Sequence, residues 1–377
     1  MRNEFLRMDS HAPGRLILSA RENREADYDG RVIVAGGGII GLACAWRLAR
    51  EGFPVTLFDA RELAAEASWA AAGMLAPGGE MDDDSPLARM ALRSLAQYPA
   101  FIEELREASG AAIEYRRCGA VTLAFSEDEA AALAAKAARQ AAIGIASEPI
   151  AHAGAAAARF YPDDGLVNPR DVTAALRTAC TRSGVAIREY EPVVEILDAG
   201  AGVRTSRGEY HGDGVLIAAG AWSSRIYRGA QTVPVRGHLI AWQPDSMLLD
   251  SILRHADTYV LQRCAGQIIA GGSTEYGGFD RAIDEGVCAD IHARAARLLP
   301  ALAAMTPVER WNGFRPAAEP GGPVIGRIPS TRIWTAFGHY RNGILLAPET
   351  ARMIADSVCG AGGSAGGSAC RFPMKPS

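Results

Sequence analysis

Apolar and polar positions alternate along the chain in a way that predicts a mixed α/β protein. A short apolar run predicts a buried strand over Arg31–Ala35, followed by a helix over Gly41–Glu51 and a second strand over Pro54–Phe58. This order makes a βαβ unit. Helical spacing predicts five further helices, over Ser85–Ser109, Glu127–Ala142, Arg170–Ser183, Cys288–Leu299 and Ile344–Val358.

The middle of the chain is richer in strand-like runs. Strands are predicted over Ala186–Glu189, Pro192–Leu197, Val203–Ser206, Val215–Ala219, Leu239–Trp242, Tyr259–Gln262 and Gln267–Ala270. Segments that alternate strand and helix therefore lie at both ends and flank β-rich inserts. Such an order is typical of one domain interrupted by another.

Composition and charge exclude several function classes. The chain has 377 residues, 49% of them hydrophobic, and a formal net charge of −4, so no basic field over the whole chain attracts nucleic acid or an anionic membrane. Of its 39 basic residues only Lys136 and Lys375 are lysine. A Schiff-base lysine or a phosphate-loop lysine has almost no place, which disfavours PLP enzymes, class I aldolases and P-loop NTPases.

Cysteine and histidine spacing gives no sign of a metal or disulfide framework. The seven cysteines form no CxxC pair and the seven histidines show no ligand spacing. The longest apolar run, Val32–Trp46, contains four glycines and is too short to span a membrane. We predict a soluble, cytoplasmic protein with reduced thiols, no metal and no membrane span.

The first strand and helix are joined by a GxGxxG motif. Gly36 permits a tight turn, Gly38 lets the backbone approach a pyrophosphate, and Gly41 lets the helix pack on the strand. The helix N-terminus then faces the phosphate charge. Asp59 lies 18 residues beyond Gly41, at the end of the next strand, where its carboxylate accepts hydrogen bonds from a ribose and opposes a 2′-phosphate. The motif favours FAD or NAD over NADP.

Three further glycine-containing segments favour FAD over NAD. Ala67–Leu75 consists largely of small residues that let backbone approach a large planar group. A second strand ends at Gly220, and Gly338–Gly343 leads directly into the last predicted helix. The N-terminus of that helix would direct its positive dipole at the negative charge of a reduced flavin.

The chain resembles the D-amino-acid-oxidase-type flavoproteins and, within them, the glycine oxidases of thiamine biosynthesis. The most specific matches are Trp-Ala-Ala-Ala-Gly-Met-Leu-Ala-Pro at 69–77 and Gly-His-Tyr-Arg-Asn-Gly-Ile-Leu-Leu-Ala-Pro at 338–348. The matching stretches cover nearly the whole chain after residue 30: Val32–Asp59, Ala67–Pro77, Gly119–Glu127, Val215–Ser223, Val233–Gly237, Trp311–Arg327 and Gly338–Thr350.

The resemblance implies a glutathione-reductase-like, Rossmann-type FAD domain interleaved with a substrate domain built on an antiparallel sheet, and non-covalent FAD. The motif and the resemblance together predict FAD contacts at Gly36, Gly38, Ile39, Ile40, Gly41, Asp59, Ala60, Ala67, Ser68, Ala72, Gly73, Met74, Val193, Gly220, His339, Tyr340, Arg341, Asn342, Gly343, Ile344 and Leu345.

The substrate contacts implied by the resemblance are Arg315, Tyr259 and Arg341. An arginine holds the carboxylate of an amino acid bidentately, and a tyrosine donates a second hydrogen bond. The α-carbon is then held over flavin N5 for hydride transfer without an assigned general base. Other roles remain open: Arg315 as a surface arginine, Tyr259 as a core residue, and Arg341 as a brace for the flavin loop.

Two residues depart from the glycine oxidase pattern. Asp257 stands where some members carry histidine, and an acid there would repel a substrate carboxylate or attract an ammonium. Thr274 stands where a bulkier apolar residue occurs, which is expected to widen the pocket. The substrate therefore stays open among glycine, sarcosine and small D-amino acids.

These observations predict a division of the chain and a function. We expect an extension over 1–30, an FAD domain of 31–80, 150–230 and 310–358, a substrate domain of 81–149 and 231–309, and a mobile tail over 359–377. The expected reaction is FAD-dependent oxidation of a small amino acid or amine by O₂, with H₂O₂ formed, in a protein that by resemblance forms a homo-oligomer. The alternatives are a D-amino-acid or sarcosine-type dehydrogenase with another electron acceptor and a non-catalytic flavin-binding regulator.

Overall fold

The computed structural model describes residues 30–319, 321–361 and 370–371. The predicted extension, apart from Gly30, and most of the predicted tail lie outside these residues. The helices in the described part are α1 (Ile39–Arg50), α2 (Ala67–Ala70), α3 (Pro77–Glu80), α4 (Pro86–Ser109), α5 (Glu127–Ala141), α6 (Pro169–Arg182), α7 (Ser223–Ile226), α8 (Glu285–Leu298) and α9 (Gly343–Ala361). Short 3₁₀ turns cover Asp198–Gly200, Gly220–Trp222, Pro300–Ala304 and Tyr340–Asn342.

The strands in the same residues are β1 (Val32–Ala35), β2 (Val55–Phe58), β3 (Met74–Leu75), β4 (Tyr115–Arg116), β5 (Ala120–Ala124), β6 (Glu148–Ile150), β7 (Ala157–Tyr161), β8 (Gly165–Val167), β9 (Ala186–Arg188), β10 (Val193–Leu197), β11 (Gly202–Thr205), β12 (Glu209–His211), β13 (Gly214–Ile217), β14 (Thr232–Trp242), β15 (Ile252–His255), β16 (Thr258–Gln262), β17 (Ile268–Gly271), β18 (Glu309–Ala318), β19 (Val324–Arg327), β20 (Ile333–Phe337) and β21 (Cys370–Arg371).

A seven-stranded sheet carries the predicted dinucleotide motif. Its order is β21-β19-β20-β13-β1-β2-β9, and the five strands from β20 to β9 are parallel. The central strand β1 is buried along its whole length, as the continuous apolar run predicts. Helices α1, α4, α6 and α9 enclose one large apolar core on this sheet. The predicted Rossmann-type α/β architecture is confirmed.

A second, eight-stranded sheet is mainly antiparallel and has the order β18-β14-β17-β16-β15-β5-β7-β6. Its longest pair joins β14 and β18 over ten residues, with Val235 opposite Arg315. Helix α8 packs on one face over a separate apolar cluster. The predicted antiparallel sheet beside the Rossmann-type part is thereby confirmed.

The sheets do not follow the predicted segment boundaries throughout. Strands β7 and β18 pair within the eight-stranded sheet, although the segments 150–230 and 310–358 were expected to belong with the dinucleotide motif. Hydrogen-bond pairing with distant strands decides sheet membership, and that pairing leaves no local mark in the sequence. Helix α9 continues to Ala361, so the predicted tail starts three residues too early. Strand β21, also in the predicted tail, pairs with β19.

Helix α9 contains a proline, Pro348, beyond its first turn. Pro348 has no N–H to donate to the carbonyl of Ile344. The buried hydroxyl of Tyr98, on α4, donates to that carbonyl instead, and Ser94 Oγ donates to the carbonyl of Leu345 at 2.7 Å. Side chains of α4 thus satisfy the carbonyl that proline frees, and the helix continues.

Candidate active site

The turn between β1 and α1 is built by close backbone approach. Gly36 has φ +112°, and a Cβ there would lie 2.4 Å from the carbonyl oxygen of Ala218 on the neighbouring strand. A Cβ on Gly41 would lie 1.9 Å from the carbonyl oxygen of Gly36. Both distances are far below van der Waals contact, so only glycine fits. The expected roles of these two glycines in the turn and in helix–strand packing agree with this geometry.

The first turn of α1 is arranged to receive an anion. The helix has no side-chain cap at Gly38 and no acidic residue in its first turn. The backbone N–H of Ile39 donates to Ser68 Oγ at 2.9 Å. Asp59 accepts hydrogen bonds from the N–H of Gly37 at 2.7 Å and of Arg61 at 2.8 Å, while burial raises its pKa. The positive end of the helix dipole and the N–H groups that point out of the first turn remain available to an anion.

A cavity of about 770 Å³ runs from this turn to the eight-stranded sheet. It brings together the predicted residues Gly36, Gly38, Ile39, Ile40, Asp59, Ala60, Ala67, Ser68, Ala72, Gly73, Met74, Val193, Gly220, Tyr259, Arg315, His339, Tyr340, Arg341, Gly343 and Ile344. We call Gly36, Gly38, Asp59 and Ser68 the dinucleotide wall, and Tyr259, Arg315 and Arg341 the arginine wall.

Small residues after α2 line the cavity between the two walls, and two buried side chains hold their backbone. Trp311 Nε1 donates to the carbonyl of Ala70 at 3.0 Å. The guanidinium of Arg263, 5% exposed, donates to the carbonyl of Ala72 and, at 2.8 Å, to that of Val167. This segment is therefore fixed from behind by residues of the eight-stranded sheet.

The turn before α9 closes another side of the cavity. His339 is 3% exposed, its Nε2 lies 3.0 Å from Thr350 Oγ1, and burial lowers its pKa to about 3. The imidazole is consequently neutral at physiological pH and serves as a packing and hydrogen-bonding group. Gly343 and Ile344, the first residues of α9, lie on the wall.

Arg315 projects from β18 into the cavity with an incompletely used guanidinium. Its side chain crosses Gly237, where a Cβ would lie 2.2 Å from Nη1. Nη1 donates to the carbonyl of Ser273 at 2.8 Å, and no ion pair with a carboxylate forms within the described residues. Burial lowers the pKa of Arg315, and burial raises the pKa of Tyr259, which stays a neutral donor. A half-buried cation without an anion is suited to bind a carboxylate.

Arg341 is in a different electrostatic situation. Its Nη1 and Nη2 donate to Asp257 Oδ1 at 3.1 and 3.0 Å, and Nη2 also donates to Thr274 Oγ1 at 3.2 Å. Burial alone would lower the pKa of Arg341, but the charges of Glu80 and Asp257 outweigh it and raise the pKa. Arg315 is thus the free cation of the arginine wall, whereas the charge of Arg341 is compensated.

Comparisons with known proteins agree with this geometry. The model of the family described as FAD dependent oxidoreductase (DAO) matches residues 31–357. The chain belongs to this family. Its relatives include a glycine oxidase of Geobacillus kaustophilus, 34% identical over 88% of this chain and 93% of that protein, and one of Pseudomonas aeruginosa, 34% identical over 88% and 95%.

Solved structures of the family have the same fold. The crystal structure of glycine oxidase from Geobacillus kaustophilus aligns with a TM-score of 0.83 and 33% identity, covering 87% of this chain and 95% of that one. Glycine oxidase from Bacillus cereus aligns with a TM-score of 0.83 and 29% identity over 88% and 95%.

The residues present fit the cofactor of the family. The uncapped helix end lies on the cavity, backbone contacts at Gly36 and Gly41 admit no Cβ, and the segment Ala70–Gly73 on the wall consists of alanine and glycine. A long ligand with a pyrophosphate and a planar ring system suits such a lining. Within the described residues, no cluster of His, Cys, Asp and Glu could hold a metal ion, and no helix could span a membrane.

Three predicted contacts are not on the cavity wall. Gly41, Asn342 and Leu345 lie behind it: Gly41 packs against Gly36 in the turn after β1, and the side chains of Asn342 and Leu345 are buried. Thr274 does not line the cavity and instead accepts from Arg341, and the expectation that it widens the pocket stays a prediction.

Nine charged residues on the wall were missed by sequence reasoning: Arg61, Glu62, Glu66, Glu80, Asp82, Lys136, Arg225, Arg254 and Arg281. Glu80 lies shortly after Pro77, where a matched stretch ends, and this closeness in sequence could have pointed to it. Lys136, Arg254 and Arg281 lie outside the matched stretches, although Arg254 is close in sequence to Tyr259. Lys136 reaches the wall because its Nζ donates to the carbonyl of Gly79 at 2.9 Å and pairs with Asp82 at 2.8 Å.

Proposed function

We propose that this protein is an FAD-dependent amine oxidase that converts glycine, or another small amino acid or amine, to a 2-oxo acid and ammonia. For glycine the balanced reaction consumes O₂ and water and yields glyoxylate, ammonia and H₂O₂. One observation carries the proposal: the unpaired guanidinium of Arg315 faces the same cavity as the dinucleotide wall.

The chain's own groups bind and orient the substrate. Arg315 holds the carboxylate in two hydrogen bonds, and the neutral hydroxyl of Tyr259 donates a third. Arg341, already paired with Asp257, contributes less to carboxylate binding and closes that side of the pocket. When bound, FAD supplies the acceptor for the two electrons and the hydrogen that leave the α-carbon, and O₂ is the final oxidant.

The cofactor contacts belong to the same proposal. The main-chain N–H groups of Gly38 and Ile40 bind the pyrophosphate, and Asp59 accepts from the adenosine ribose. Ala67 to Met74 and the start of α9 lie along the flavin. Val193, Gly220, and His339 to Tyr340 complete the lining. The predicted division into an FAD part and a substrate part is retained with β7 and β18 moved to the latter.

Relatives support glycine as the first substrate to test. The glycine oxidases of Geobacillus kaustophilus and Pseudomonas aeruginosa are similar over nearly their whole length. A protein of Synechocystis called bifunctional protein ThiO/ThiG is 32% identical over 87% of this chain and 51% of its own length. We therefore propose that the product serves thiamine synthesis, in the cytoplasm.

The deciding experiment is an anaerobic titration of the purified yellow protein with glycine. Loss of the flavin band near its visible maximum, recovery in air and one H₂O₂ per glycine consumed are the expected results. Bleaching without H₂O₂ formation would favour the dehydrogenase. A protein whose flavin responds to neither glycine, sarcosine nor small D-amino acids would contradict the enzyme assignment.

A further inference from the structure

A four-residue segment contacts both arginines of the arginine wall. This strap (Gly272–Glu275) follows β17. The carbonyl of Ser273 accepts from Arg315 Nη1 at 2.8 Å, and the hydroxyl of Thr274 accepts from Arg341 Nη2 at 3.2 Å. Ser273 and Thr274 are not part of the cavity lining, so they act on the site through the arginines.

The strap is anchored at one end by Glu275. Its backbone forms an isolated antiparallel bridge with Arg236, with Arg236 N–H donating to the Glu275 carbonyl at 2.9 Å and the reverse bond at 3.0 Å. Its carboxylate also accepts from the same arginine, at 2.7 Å from Nη2 and 3.0 Å from Nε. Both bonds end on one oxygen, Oε2, so the ion pair fixes the position of that oxygen and leaves Oε1 to other donors.

The second oxygen of Glu275 joins the strap to the interior of β14. Oε1 accepts from Ser273 Oγ at 2.6 Å and lies 2.7 Å from Nδ1 of His238, whose side chain has no exposed surface. His238 Nε2 accepts from the N–H of Asp284 at 3.2 Å, so the ring proton is on Nδ1 and is donated to Glu275. The N–H of His238 donates in turn to Ser273 Oγ at 2.8 Å.

These hydrogen bonds connect Glu275 to Ser273, and the Ser273 carbonyl in turn accepts from the guanidinium of Arg315. The side chains of Arg236 and Glu275 are only 12% and 19% exposed, so their attraction is weakly screened. Within the described residues, the Ser273 carbonyl is the one hydrogen-bond acceptor of Arg315, and its direction depends on the hydroxyl and carboxylate beside it. The orientation of the Arg315 guanidinium is therefore determined by residues outside the cavity.

We propose that Glu275 is a positioning residue that sets the affinity of the site for carboxylates by holding Ser273 against Arg315, without touching substrate itself. This inference rests on the proposed function, in which Arg315 binds the substrate carboxylate. A group displaced by about 1 Å can lower the efficiency of a positioned reaction by about 100-fold, so a remote anchor is expected to matter.

The test compares Glu275→Gln, Glu275→Asp and Ser273→Ala holoenzymes with the parent. The dissociation constant of acetate, a carboxylate that cannot be oxidised here, is measured from the change in the flavin spectrum. Glu275→Gln should weaken acetate by about tenfold or more, Ser273→Ala by less, and Glu275→Asp should restore part of the affinity. With glycine, KM should rise while the saturating rate of flavin bleaching changes by less than about threefold.

Asp280→Asn is the matched control. Asp280 binds the same arginine, at 2.8 Å from Arg236 Nη1, but its side chain is 57% exposed and does not contact the strap. Acetate affinity should stay within about twofold of the parent, as for an exposed ion pair.

Two failures are distinguishable. If the parent holoenzyme binds neither acetate nor glycine, the proposed carboxylate site fails and the positioning role fails with it. If the parent binds acetate and Glu275→Gln binds it equally well, only the positioning role is overturned. Loss of FAD in Glu275→Gln and Ser273→Ala alike would also overturn it, because the strap would then serve general stability.

Discussion

The dinucleotide wall and the arginine wall enclose one cavity, but they are built from different kinds of chemical group. The first consists of backbone: glycines that approach neighbouring carbonyls, and a helix end without a side-chain cap. The second consists of long side chains whose direction is set by the strap and by Asp257. A backbone site changes when a side chain is added, whereas a side-chain site changes when one is removed or its support is lost.

The largest expected effect comes from adding atoms directly behind the dinucleotide wall, at Gly41. In Gly41→Val, the Cβ alone would lie 1.9 Å from the carbonyl oxygen of Gly36. Overpacking against backbone costs about 3 kcal/mol, so the dissociation constant of FAD should rise by about 100-fold and FAD should be lost on dialysis. Gly277→Ala is the control, because a Cβ there meets nothing within 4 Å. Full FAD content in Gly41→Val would show that the turn is not close-packed in solution.

Removing the guanidinium of Arg315 should leave the dinucleotide wall intact. Arg315→Ala is expected to weaken acetate and glycine by about 100-fold, or about 3 kcal/mol, with FAD content unchanged. Arg315→Lys should lie between, since it keeps the charge but loses the bidentate geometry. Arg310→Ala, on the same strand and paired with Glu285 at 3.3 Å, is the control. Equal loss of FAD and acetate in Arg315→Ala would contradict the separation of the two walls.

A smaller effect is expected from the ionic cluster beside α9. The fully buried carboxylate of Glu349 accepts from Arg93 at 2.7 Å, Gln97 at 2.6 Å and Arg352 at 2.8 Å. Burial would raise its pKa, but these hydrogen bonds lower it from 4.5 to about 2. The stabilisation is therefore present above pH 4.5 and is lost as pH falls towards 2.

Glu349→Gln should accordingly destabilise the protein by about 1–2 kcal/mol at pH 7, a value reduced because the arginines are half-exposed. The difference from the parent should shrink progressively below pH 4.5 in urea unfolding. Glu103→Gln, whose partner Arg106 is 3.5 Å away and whose side chain is 66% exposed, is the control. A difference that stays constant down to pH 2.5 or so would contradict the assigned ionic contribution.

The smallest effect is expected from removing the negative charge that pairs with Arg341. Asp257→Asn removes the charge that compensates Arg341, and an exposed pair of this kind is worth about 0.2–1 kcal/mol. Acetate should bind about two- to fourfold more tightly, and the gain should disappear at high salt. Asp245→Asn, an exposed acid outside the cavity lining, should change nothing. Weaker acetate binding in Asp257→Asn would mean that the acid orients Arg341 rather than neutralising it.

The two walls also differ in how far they could be predicted. The βαβ unit and its glycines were predicted because turn, helix start and acid lie close together in sequence and each imposes a local rule. Helix α6 lies within one residue of its predicted bounds, since its apolar spacing and the preceding Asn168 cap are local as well. By contrast, β18 was not predicted as a strand, because its ten residues gain their pairing only from β14.

Arg315 was found through resemblance, yet its partner was not. Nothing in the sequence around Ser273 indicates that its carbonyl meets an arginine 42 positions later, because that contact depends on where β17 ends relative to β18. Asp257 was noticed as a departure, but its two expected effects, repulsion of a carboxylate and attraction of an ammonium, both omitted the pair with Arg341. Tertiary contacts decide which charges in a pocket remain free.

The strand order of the seven-stranded sheet has a consequence for biosynthesis. Strand β1 is synthesised early. Its parallel neighbour β13 and the next parallel strand, β20, are synthesised much later, because β20 lies roughly 300 residues further along the chain. At about 5–20 residues per second, synthesis reaches it about 15–60 seconds later. During this interval the glycine turn has no finished cavity around it, so a nascent chain acquires cofactor-binding competence only when Gly343 and the start of α9 have emerged.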